Sequence, residues 1–413
     1  MEKNKVAIVL GGTNPHIALI ENLKNRGYYT VLIDYTKNPP AKEYADEHLQ
    51  ESTLDKDLVV SIAKDYKAEV VISCCIDQAN AIACYAAEKL SLPRPYSYKT
   101  AINVTDKCLM KDIMAAHNVR TSKHVTVSEY DNNLFKNFTY PLVTKPSDST
   151  GSKGVRKANN SSELKNYIQA AIELSRTNKA VVEEFVEGFE IQIDCFIKNK
   201  KAQVVMIRQK KHVRLEGDFA MQTLGSTIPP RLEDKTLQQI NEVANGIAQA
   251  FELNNSPLFI QAIVNNTGDV NVIEFAPRVG GGLSFRLIKM YSGFDFLDAT
   301  IDSFFNIEPK IEIENDNSGM HLESVIIYAN EGVYNKTVGQ NELLNDGTIE
   351  EFFEFSTRGT QIGSDMSTRS RVCAFIIKGN SISEIIEKKR KSIEQINIWD
   401  INGDQLMKKE LYL

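Results

Sequence analysis

The sequence has 413 residues, of which 42% are hydrophobic and 25% are charged. This length allows two or three domains with ordinary cores, and the composition excludes a small disulfide scaffold, a disordered chain and a fibrous protein. The 48 basic and 54 acidic side chains give a net charge of −6, which argues against nonspecific binding to nucleic acid or to an anionic membrane. Any phosphate-bearing ligand must therefore be held by cations placed locally.

Neither a membrane segment nor a zinc-binding motif is visible in the sequence. No apolar run approaches the roughly 18 residues that span a bilayer, and the first strand and glycine turn come too early for a signal peptide. We therefore expect a cytoplasmic protein. The six cysteines contain no CxxC pair, and the six histidines form no HxxxH or His/Cys cluster. This predicts reduced, buried thiols and no zinc site.

The first hundred residues alternate between strand and helix patterns. Apolar strands are predicted at 6–10, 30–34 and 70–73, with helices at about 16–27 and 55–66. This order is typical of a parallel α/β sheet. The Pro-containing passage 91–95 closes the unit, and Thr105 or Asp106 is suited to be the N-cap of a helix that runs to about His117. A domain boundary is therefore predicted in this part of the chain.

The rest of the chain favours mixed α+β structure. Between residues 140 and 277, strands and hairpins are interrupted by helices at about 161–174 and 234–251. The acidic stretch 309–319 is predicted to be a connector, and strand-rich sequence with one helix at 383–393 follows it. No internal repeat and no low-complexity segment is present. The sequence thus predicts α/β and α+β domains in succession.

A glycine turn follows the first predicted strand. Gly11 and Gly12 precede a helix, so the backbone N–H groups of this turn could face an anion. Asp34 ends the second strand, where a dinucleotide-binding domain places its ribose-binding acid, but the full GxGxxG pattern is missing. We therefore favour a tight turn that contacts a small carboxylate substrate over a site for NAD.

A second glycine- and serine-rich segment follows a lysine. Lys145 ends an apolar strand, and a run of small residues comes directly after it. Small residues let the backbone of a loop approach phosphate oxygens, and lysines supply charge, although this spacing is not that of a Walker P-loop. A solvated turn is the alternative interpretation. The candidate phosphate-binding residues of this loop are Ser149, Gly151, Ser152 and Gly154.

An acidic segment joins two further predicted strands. Gly188 marks a sharp turn between the strand that contains Glu183 and a strand that starts near Glu190. Free backbone groups in such a segment can bind the edge of adenine, and a carboxylate just beyond it can bind ribose hydroxyls. A solvent-facing acidic hairpin is the alternative interpretation. The candidate cofactor-binding residues of this segment are Glu183, Glu184, Phe185 and Val186.

Two polar residues interrupt a pair of apolar strands farther along the chain. Burying the amide of Gln261 or the carboxylate of Glu274 without a partner would cost several kcal/mol, so both need partners. A hairpin can bring their oxygens close enough to hold Mg²⁺, which keeps several waters and bridges to phosphates. Arg278 can neutralise a transferring phosphoryl group with its planar fork. A structural salt bridge between Glu274 and Arg278 is the alternative interpretation.

Taken in order, these features resemble the ATP-grasp superfamily. The series consists of Lys107 on a helix, Lys145 at a strand end, the small-residue loop, the acidic segment, and Glu274 with Arg278. The resemblance covers nearly the whole chain. It implies an ATP-grasp fold with an N-terminal pre-ATP-grasp, Rossmann-like domain and a small C-terminal α+β domain. The implied domains are residues 1–100, 101–310 and 311–413, with a lid subdomain at about 120–190.

The chain is most similar to carboxylate-amine ligases, such as glycinamide ribonucleotide synthetase and L-amino acid ligase, and to aminoimidazole ribonucleotide carboxylase. This similarity implies ATP and Mg²⁺ or Mn²⁺ as cofactors. In such enzymes Lys107, Lys145 and the small-residue loop would contact the ATP phosphates. The backbone of Glu184 and Val186 would bind adenine, and Glu190 would bind ribose.

The same resemblance implies roles for the residues around the reacting groups. Gln261 and Glu274 would hold magnesium, and Arg278 would stabilise an acyl phosphate. A basic strand-to-loop segment and a glycine run would line the substrate side, with plain solvated loops as the alternative. The substrate-side candidates are Gly11, Gly12, Lys210, Gly280, Gly281 and Gly282.

The reaction that this resemblance implies is formation of an amide or peptide-like bond. A carboxylate is activated as an acyl phosphate with release of ADP, and an amine then displaces phosphate, so no nucleophilic serine or cysteine is needed. A bicarbonate-using carboxylase or carbamoyl-type enzyme is one alternative, and a non-catalytic ATP-binding regulatory protein is another. The expected partners are a small carboxylate and a small amine, without nucleic acid or membrane. Similar enzymes imply a homodimer.

Overall fold

A computed structural model describes residues 5–149, 151, 153–214, 221–313, 319–364 and 370–412. The chain divides into two compact units, each with a core of its own. The first unit is made of Met1–Gly188, Gln192–Met206 and Leu232–Ile313. The second unit is made of Phe189–Ile191, Ile207–Arg231 and Glu314–Leu413.

The first unit begins with a parallel sheet and its helices. These elements are β1 (Val6–Leu10), α1 (Asn14–Asn25), β2 (Tyr29–Ile33), β3 (Glu47–Leu49), α2 (Lys56–Asp65), β4 (Val70–Ile72) and α3 (Asp77–Leu90). The strands lie in the order β3–β2–β1–β4, and neighbouring strands are parallel. Every residue of β1 and β4 is buried, as is typical of strands that are covered on both faces. The predicted α/β alternation is confirmed.

Two elements of this sheet region differ from the sequence prediction. Helix α1 begins at Asn14 rather than near His16, and a proline at its first turn suits this start because the proline lacks the N–H that the helix would leave unpaired. Helix α3 was not predicted. Its alanines are buried at 79, 81, 83, 86 and 87, so the apolar residues do not form one narrow stripe. A helix that is apolar on several sides gives no amphipathic period to detect.

The helix predicted from an N-cap signal lies in the next part of the chain. Helices α4 (Tyr98–Thr105) and α5 (Lys107–Ala116) follow each other directly. The Asp106 side chain accepts hydrogen bonds from the backbone N–H groups of Cys108 at 2.8 Å and Leu109 at 3.2 Å. This satisfies two donors that a helix start leaves unpaired. The N-cap prediction is confirmed at Asp106 and not at Thr105.

A small antiparallel sheet with one helix comes next. Its elements are β5 (His124–Val127), β6 (Leu142–Pro146), β7 (Arg156–Ala158), α6 (Ser161–Leu174) and β8 (Ala180–Glu184). The strands lie in the order β5–β8–β6–β7. Buried side chains of α6 pack against those of β6 and β8 in one apolar cluster. Helix α6 confirms the prediction at 161–174.

A long antiparallel hairpin region follows, and its strands are divided between the two units. Its elements are β9 (Gly188–Lys198), β10 (Lys201–Arg214), β11 (Met221–Ile228), α7 (Asp234–Ala250), β12 (Ser256–Asn265), β13 (Val270–Ala276), α8 (Ser284–Ser292) and α9 (Phe296–Phe304). Strands β13, β12, β9 and the start of β10 are neighbours in that order within the first unit. Helix α7 confirms the prediction at 234–251. Helices α8 and α9 were not predicted.

The second unit is built on antiparallel strands. Its further elements are β14 (His321–Tyr328), β15 (Gly332–Val338), α10 (Gln340–Asn345), β16 (Glu351–Glu354), β17 (Gln361–Ile362), β18 (Arg371–Gly379), α11 (Ile382–Gln395) and β19 (Asn397–Asp400). The end of β10 is followed in the sheet by β11, β14, β18 and β16, and β17, β15 and β19 form a second sheet. Helix α11 confirms the prediction at 383–393. Part of the predicted connector, residues 314–318, lies outside the described residues.

Two simple expectations can be compared with the described residues. All six cysteines are free, and all except the partly exposed Cys75 are buried, which confirms the prediction of reduced thiols. Within the described ranges, no helix combines the length and apolar character needed to cross a membrane. The division into domains at 1–100, 101–310 and 311–413 stays a prediction.

Replacing the N-cap of α5 tests how the helix start is held. Asp106→Ala removes both hydrogen bonds to the first turn, so we expect the free energy of unfolding to fall by about 1 kcal/mol. Asp106→Asn keeps an oxygen acceptor and should lose much less. Urea unfolding of the two variants measures the difference. Equal stability of Asp106→Ala and the unmodified chain would contradict the assigned cap.

Candidate functional site

Helix α5 begins where three predicted site elements meet. Lys107 is its first residue, and its backbone N–H donates to the carbonyl oxygen of Ser147 at 2.8 Å. The Lys107 ammonium donates to the carbonyl oxygen of Ser149 at 2.5 Å and lies 3.7 Å from the carboxylate of Glu274. The start of α5, the loop after β6 and strand β13 therefore converge, although they are far apart in the sequence.

The two candidate metal ligands lie side by side on the β12–β13 hairpin. Gln261 is opposite Glu274 in the antiparallel register, and a bulge follows Gln261 directly. Directly opposed side chains lie on the same face with Cβ atoms about 5 Å apart, and both residues are only partly buried. Their amide and carboxylate oxygens are hard donors of the kind that Mg²⁺ takes. This donor set fits a magnesium ion that completes its coordination with water and ligand oxygens.

A buried carboxylate joins two lysines on separate elements. Glu183 on β8 is 4% exposed, and its carboxylate forms ion pairs with Lys111 on α5 at 2.8 Å and with Lys145 on β6. Ser122 donates a hydrogen bond to the same carboxylate. The Lys111 ammonium also donates to the carbonyl oxygen of Val272 on β13 at 3.1 Å. We call Lys111, Glu183 and Lys145 the lysine–glutamate triad; it connects α5, β6 and β8.

The charges of the triad determine which of its members stay ionised. Burial alone raises the pKa of Glu183, but the charges of Lys111 and Lys145 outweigh burial and hold the pKa of this carboxyl well below its usual range. Burial lowers the pKa of Lys111, and the charge of Glu183 opposes that effect. The Glu183 carboxylate is therefore occupied by the two lysines. Any contribution of Glu183 to ATP binding would act through the position of Lys145.

The small-residue loop after β6 has its own internal support. The Ser149 hydroxyl donates to the carbonyl oxygen of Lys153 at 2.8 Å, which closes the loop. Gly154 has a φ of +77°, and a Cβ there would lie 2.8 Å from side-chain atoms of Leu174 and Pro146, so this position requires glycine. Gly151 also has a positive φ, but open space surrounds it. Ser152 lies outside the described residues.

The acidic segment after β8 keeps its first backbone N–H groups hydrogen-bonded within the chain. The Glu184 N–H donates to the carbonyl oxygen of Lys123 at 2.9 Å, and its carboxylate accepts from the N–H of Thr139 at 2.9 Å. The Lys157 ammonium lies 4.0 Å from the centre of the Phe185 ring. Val186 lies between β8 and β9. Glu184, Phe185 and Val186 thus lie at the end of β8, which is an inner strand of the small antiparallel sheet.

Two further candidates belong to the second unit. The carboxylate of Glu190 on β9 lies 3.3 Å from Nε2 of His212 on β10, and both side chains are nearly buried. Burial lowers the pKa of His212, and the charge of Glu190 opposes that effect. Lys210 lies two residues earlier on β10, opposite Ser226 of β11. The roles of Glu190 in ribose binding and of Lys210 on the substrate side stay predictions.

The candidate catalytic arginine has a partner that the sequence analysis did not name. Arg278 donates to both carboxylate oxygens of Asp77, from Nε at 2.5 Å and from an Nη at 2.9 Å. Its guanidinium also lies 4.6 Å from the centre of the Phe259 ring. Burial lowers the pKa of Arg278, but the charge of Asp77 outweighs burial and raises it. The ion-pair partner of Arg278 is therefore Asp77, at the start of α3, and not Glu274.

The first glycine turn uses its own N–H groups within the chain. Gly11 donates to the carbonyl oxygen of Ile33 at 2.9 Å, and Gly12 donates to the carboxylate of Asp34 at 2.7 Å. The Asp34 carboxylate also accepts from the N–H of Thr36 at 2.8 Å. Asp34 is thus a turn-forming residue. If Gly11 and Gly12 contact a substrate, they do so through close approach of their backbone rather than through these donors.

The glycine run after Arg278 differs from residue to residue. A Cβ at Gly280 would lie 2.6 Å from the side-chain nitrogen of Gln192 and from the hydroxyl of Ser284, so this position requires glycine. Gly281 and Gly282 face open space, and Gly282 has a φ of +69°. The run therefore packs tightly at its start and is accessible afterwards. The substrate-side role of all three glycines stays a prediction.

Three residues of this region were missed by the sequence analysis. Asp77 starts α3, a few residues after the parallel strand β4 ends. Ligands commonly bind at the carboxyl ends of the strands of such a sheet. Lys111 lies four residues after Lys107 on α5, so the two can share a helix face. The sequence could therefore have indicated these two positions. Ser122 carried none, because its hydrogen bond to Glu183 depends on tertiary packing.

Comparison with known proteins identifies the domain. Residues 138–286 match the family model described as the ATP-grasp domain. Among curated proteins, the chain is 28% identical over 196 residues to the carbamoyl phosphate synthase large chain of Bifidobacterium adolescentis, covering 46% of this chain and 17% of that protein. It is 33% identical over 119 residues to the D-alanine–D-alanine ligase of Petrotoga mobilis, covering 27% of this chain and 38% of that protein. The chain thus spans only a fraction of these relatives.

Solved structures match the chain over nearly its whole length. The L-amino acid ligase of Bacillus licheniformis has a TM-score of 0.79 at 20% identity, covering 97% of this chain and 100% of that one. The phosphoribosylglycinamide synthetase of Anaerococcus prevotii has a TM-score of 0.77 at 20% identity, covering 96% of this chain and 99% of that one. The chain therefore has the ATP-grasp fold. The fold class and the resemblance predicted from sequence are both confirmed.

Neutralising the buried carboxylate tests the lysine–glutamate triad. Glu183→Gln leaves two buried ammonium groups without their counter-charge, so we expect the free energy of unfolding at pH 7 to fall by about 3 kcal/mol or more. Because the pKa of Glu183 is lowered by folding, its stabilisation is present above the unfolded pKa of about 4.3 and is lost as the pH falls below that value. The difference between the two proteins should therefore shrink in acid.

Urea unfolding at pH 7 and at about pH 3 measures this effect. Glu187→Gln is a matched control, because Glu187 is exposed only four residues away and its neutralisation should change stability little. A Glu183→Gln variant as stable as Glu187→Gln at pH 7 would show that the triad does not hold α5, β6 and β8 together.

Proposed function

We propose that this protein is an ATP-dependent carboxylate-amine ligase, which forms an amide or peptide-like bond with release of ADP and phosphate. The observation that carries the proposal is the convergence on the Lys107 ammonium of the small-residue loop at Ser149 and the metal-ligand candidate Glu274. A cation, a loop with accessible glycine and a hard oxygen donor are the parts that phosphoryl transfer needs in one place. The ATP-grasp domain match supports this interpretation.

Two lysines would hold the phosphates in this proposal. The Lys145 ammonium is positioned by Glu183, and the Lys107 ammonium is positioned by the Ser149 carbonyl. Fixed cations can neutralise developing charge without reorganising during the reaction. The loop from Ser149 to Gly154 would cover the phosphates, with Gly151 open to a ligand.

The nucleoside would lie against the segment that follows β8. The backbone of Glu184 and Val186 would bind adenine, beside the ring of Phe185. Glu190, a few residues farther along the chain, would bind ribose. Gln261 and Glu274 would hold Mg²⁺ or Mn²⁺ through their opposed oxygens. When bound, that ion would neutralise charge on phosphate oxygens.

The reacting groups are supplied by the substrates, and the protein positions them. A carboxylate oxygen of the first substrate attacks the γ-phosphorus of ATP, and the bond between that phosphorus and the bridging oxygen of ADP breaks. The amine nitrogen of the second substrate then attacks the acyl carbon, and phosphate leaves. Arg278 would stabilise the acyl phosphate with its guanidinium, and Asp77 is a positioning residue that fixes the orientation of the fork.

ADP release across a substrate panel tests the proposed reaction. Carboxylates and amines are offered singly and in pairs, with bicarbonate in a separate arm, and ADP is measured by a coupled assay. We expect release that requires both a carboxylate and an amine. Release with bicarbonate alone would favour a carboxylating or carbamoyl-type enzyme, as in several relatives. Tight ATP binding without ADP release in any arm would favour a non-catalytic ATP-binding protein.

Replacing the candidate catalytic arginine tests its role in the reaction. Arg278→Lys keeps the positive charge but loses the bidentate fork, so we expect kcat to fall on the order of 100-fold while ATP affinity is largely unchanged. Single-turnover ADP formation and ATP titration measure the two quantities. A variant with normal kcat would contradict the role assigned to Arg278.

Arg26→Lys provides the matched control for this substitution. Arg26, which follows the last residue of α1, also forms a two-partner ion pair in the first unit, with Asp298 at 2.5 Å and Asp302 at 2.7 Å on α9. Losing its fork changes packing and hydrogen bonding in a similar way at a position that the proposal does not use. Normal kcat in Arg26→Lys together with a low kcat in Arg278→Lys separates chemistry from stability.

A further inference from the structure

The carboxyl ends of β1 and β4 carry a histidine and two cysteines nearby that have no role in the proposed ligase chemistry. These two strands are neighbours in the parallel sheet, and the chain leaves β1 for β2 on one side and reaches β4 from β3 on the other. The strand order therefore reverses between β1 and β4. In open parallel sheets, ligands bind outside the carboxyl ends of the strands at such a reversal.

Three candidate metal ligands meet near this reversal. His16 lies on α1, and Cys74 and Cys75 follow β4. A donor nitrogen of His16 and the two sulfurs lie within 4.8 Å of one another. His16 is 0% exposed and Cys74 is 1% exposed, whereas Cys75 is partly exposed. Within the described part of the chain, no other group of three or more His, Cys, Asp or Glu side chains has donor atoms this close together.

We propose that His16, Cys74 and Cys75 bind one thiophilic transition-metal ion of the Zn²⁺ type. Two thiolates and one imidazole are a donor set that zinc takes, and thiolate ligands select against hard ions such as Mg²⁺. The expectation of no zinc site depended on spacing along the sequence. Spacing does not detect this group, because the histidine and the cysteines lie on separate elements and meet only in the folded chain.

Hydroxyl groups around the histidine support its orientation as a ligand. The Thr13 hydroxyl lies 2.8 Å from Nδ1 of His16, and the Ser73 hydroxyl lies 3.3 Å from Nε2. Whichever ring nitrogen binds the metal, the other keeps a hydroxyl partner. Metal-binding histidines commonly have such an outer partner, which fixes the tautomer and the ring orientation. Thr13 also lies 3.5 Å from the Cys75 sulfur.

Zinc binding at this place requires both cysteines as thiolates and the histidine as a neutral imidazole. When one Zn²⁺ binds two thiolates and a neutral imidazole, the thiol protons are released to solvent and the metal complex has no net charge. Three protein donors leave a fourth position for water or another small ligand.

Zinc competition with a chromophoric chelator tests the site on the reduced, full-length protein. We expect one equivalent of Zn²⁺ to bind, and we expect the Cys74→Ala/Cys75→Ala double variant to bind it at least about 100-fold more weakly. Cys84→Ala is the matched control, because Cys84 is buried on the adjacent α3 outside the cluster and its loss should leave Zn²⁺ affinity unchanged.

Cobalt substitution gives an independent readout. Co²⁺ bound by two thiolates should show an intense sulfur-to-cobalt charge-transfer band and tetrahedral d–d bands, which His16→Gln and Cys75→Ala should weaken or abolish. Circular dichroism of each metal-free variant shows whether it has folded. Stoichiometric Zn²⁺ binding that persists in a folded double variant would overturn the proposal, as would the absence of any thiolate–cobalt band in the unmodified chain. Neither readout depends on ATP or ADP, so this test and the test of ligase activity can fail separately.

Discussion

The ion pairs of Glu183 with Lys111 and Lys145 are the interaction on which the arrangement of the candidate site depends. One carboxylate connects helix α5, strand β6 and strand β8, and Lys111 continues the connection to β13 through the Val272 carbonyl. A buried ion pair contributes little net stability over apolar packing, but breaking it is costly, so it specifies position more than it adds stability. The lysine–glutamate triad therefore fixes where Lys145 lies, and the same helix α5 carries Lys107 toward the loop and the hairpin.

The fold was largely predictable because the signals were local. Strand β1, the N-cap Asp106 and helices α6 and α7 each follow from apolar period or capping within a short segment. Helices α3, α8 and α9 were missed. In α3, apolar residues lie on several faces, and in α9 seven of nine residues are buried, so neither presents the alternation of apolar and polar residues that a sequence pattern needs.

The candidate site was predictable only in part. The sequence shows the type of each residue, but it does not show which distant residue each one contacts in the fold. The opposition of Gln261 and Glu274 followed from the expected hairpin, since register in a short hairpin depends on nearby residues. The partner of Arg278 did not follow, because Asp77 lies in a different element, and Glu274, four residues before Arg278, was the alternative partner. The same limit hid the group formed by His16, Cys74 and Cys75, whose spacing in the sequence carries no information about their distance in the fold.

The Asp77–Arg278 ion pair has a consequence for how the chain matures during its synthesis. Its two residues are 201 positions apart. At about 5–20 residues per second, a ribosome would need at least about ten seconds after Asp77 to reach Arg278. The parallel sheet at the amino terminus can fold in that interval, but Asp77 lacks its arginine partner until nearly the whole first unit has been made. A nascent or truncated chain thus carries an unpaired carboxylate at the start of α3, and the proposed phosphoryl-transfer chemistry cannot be assembled before that part of the chain is complete.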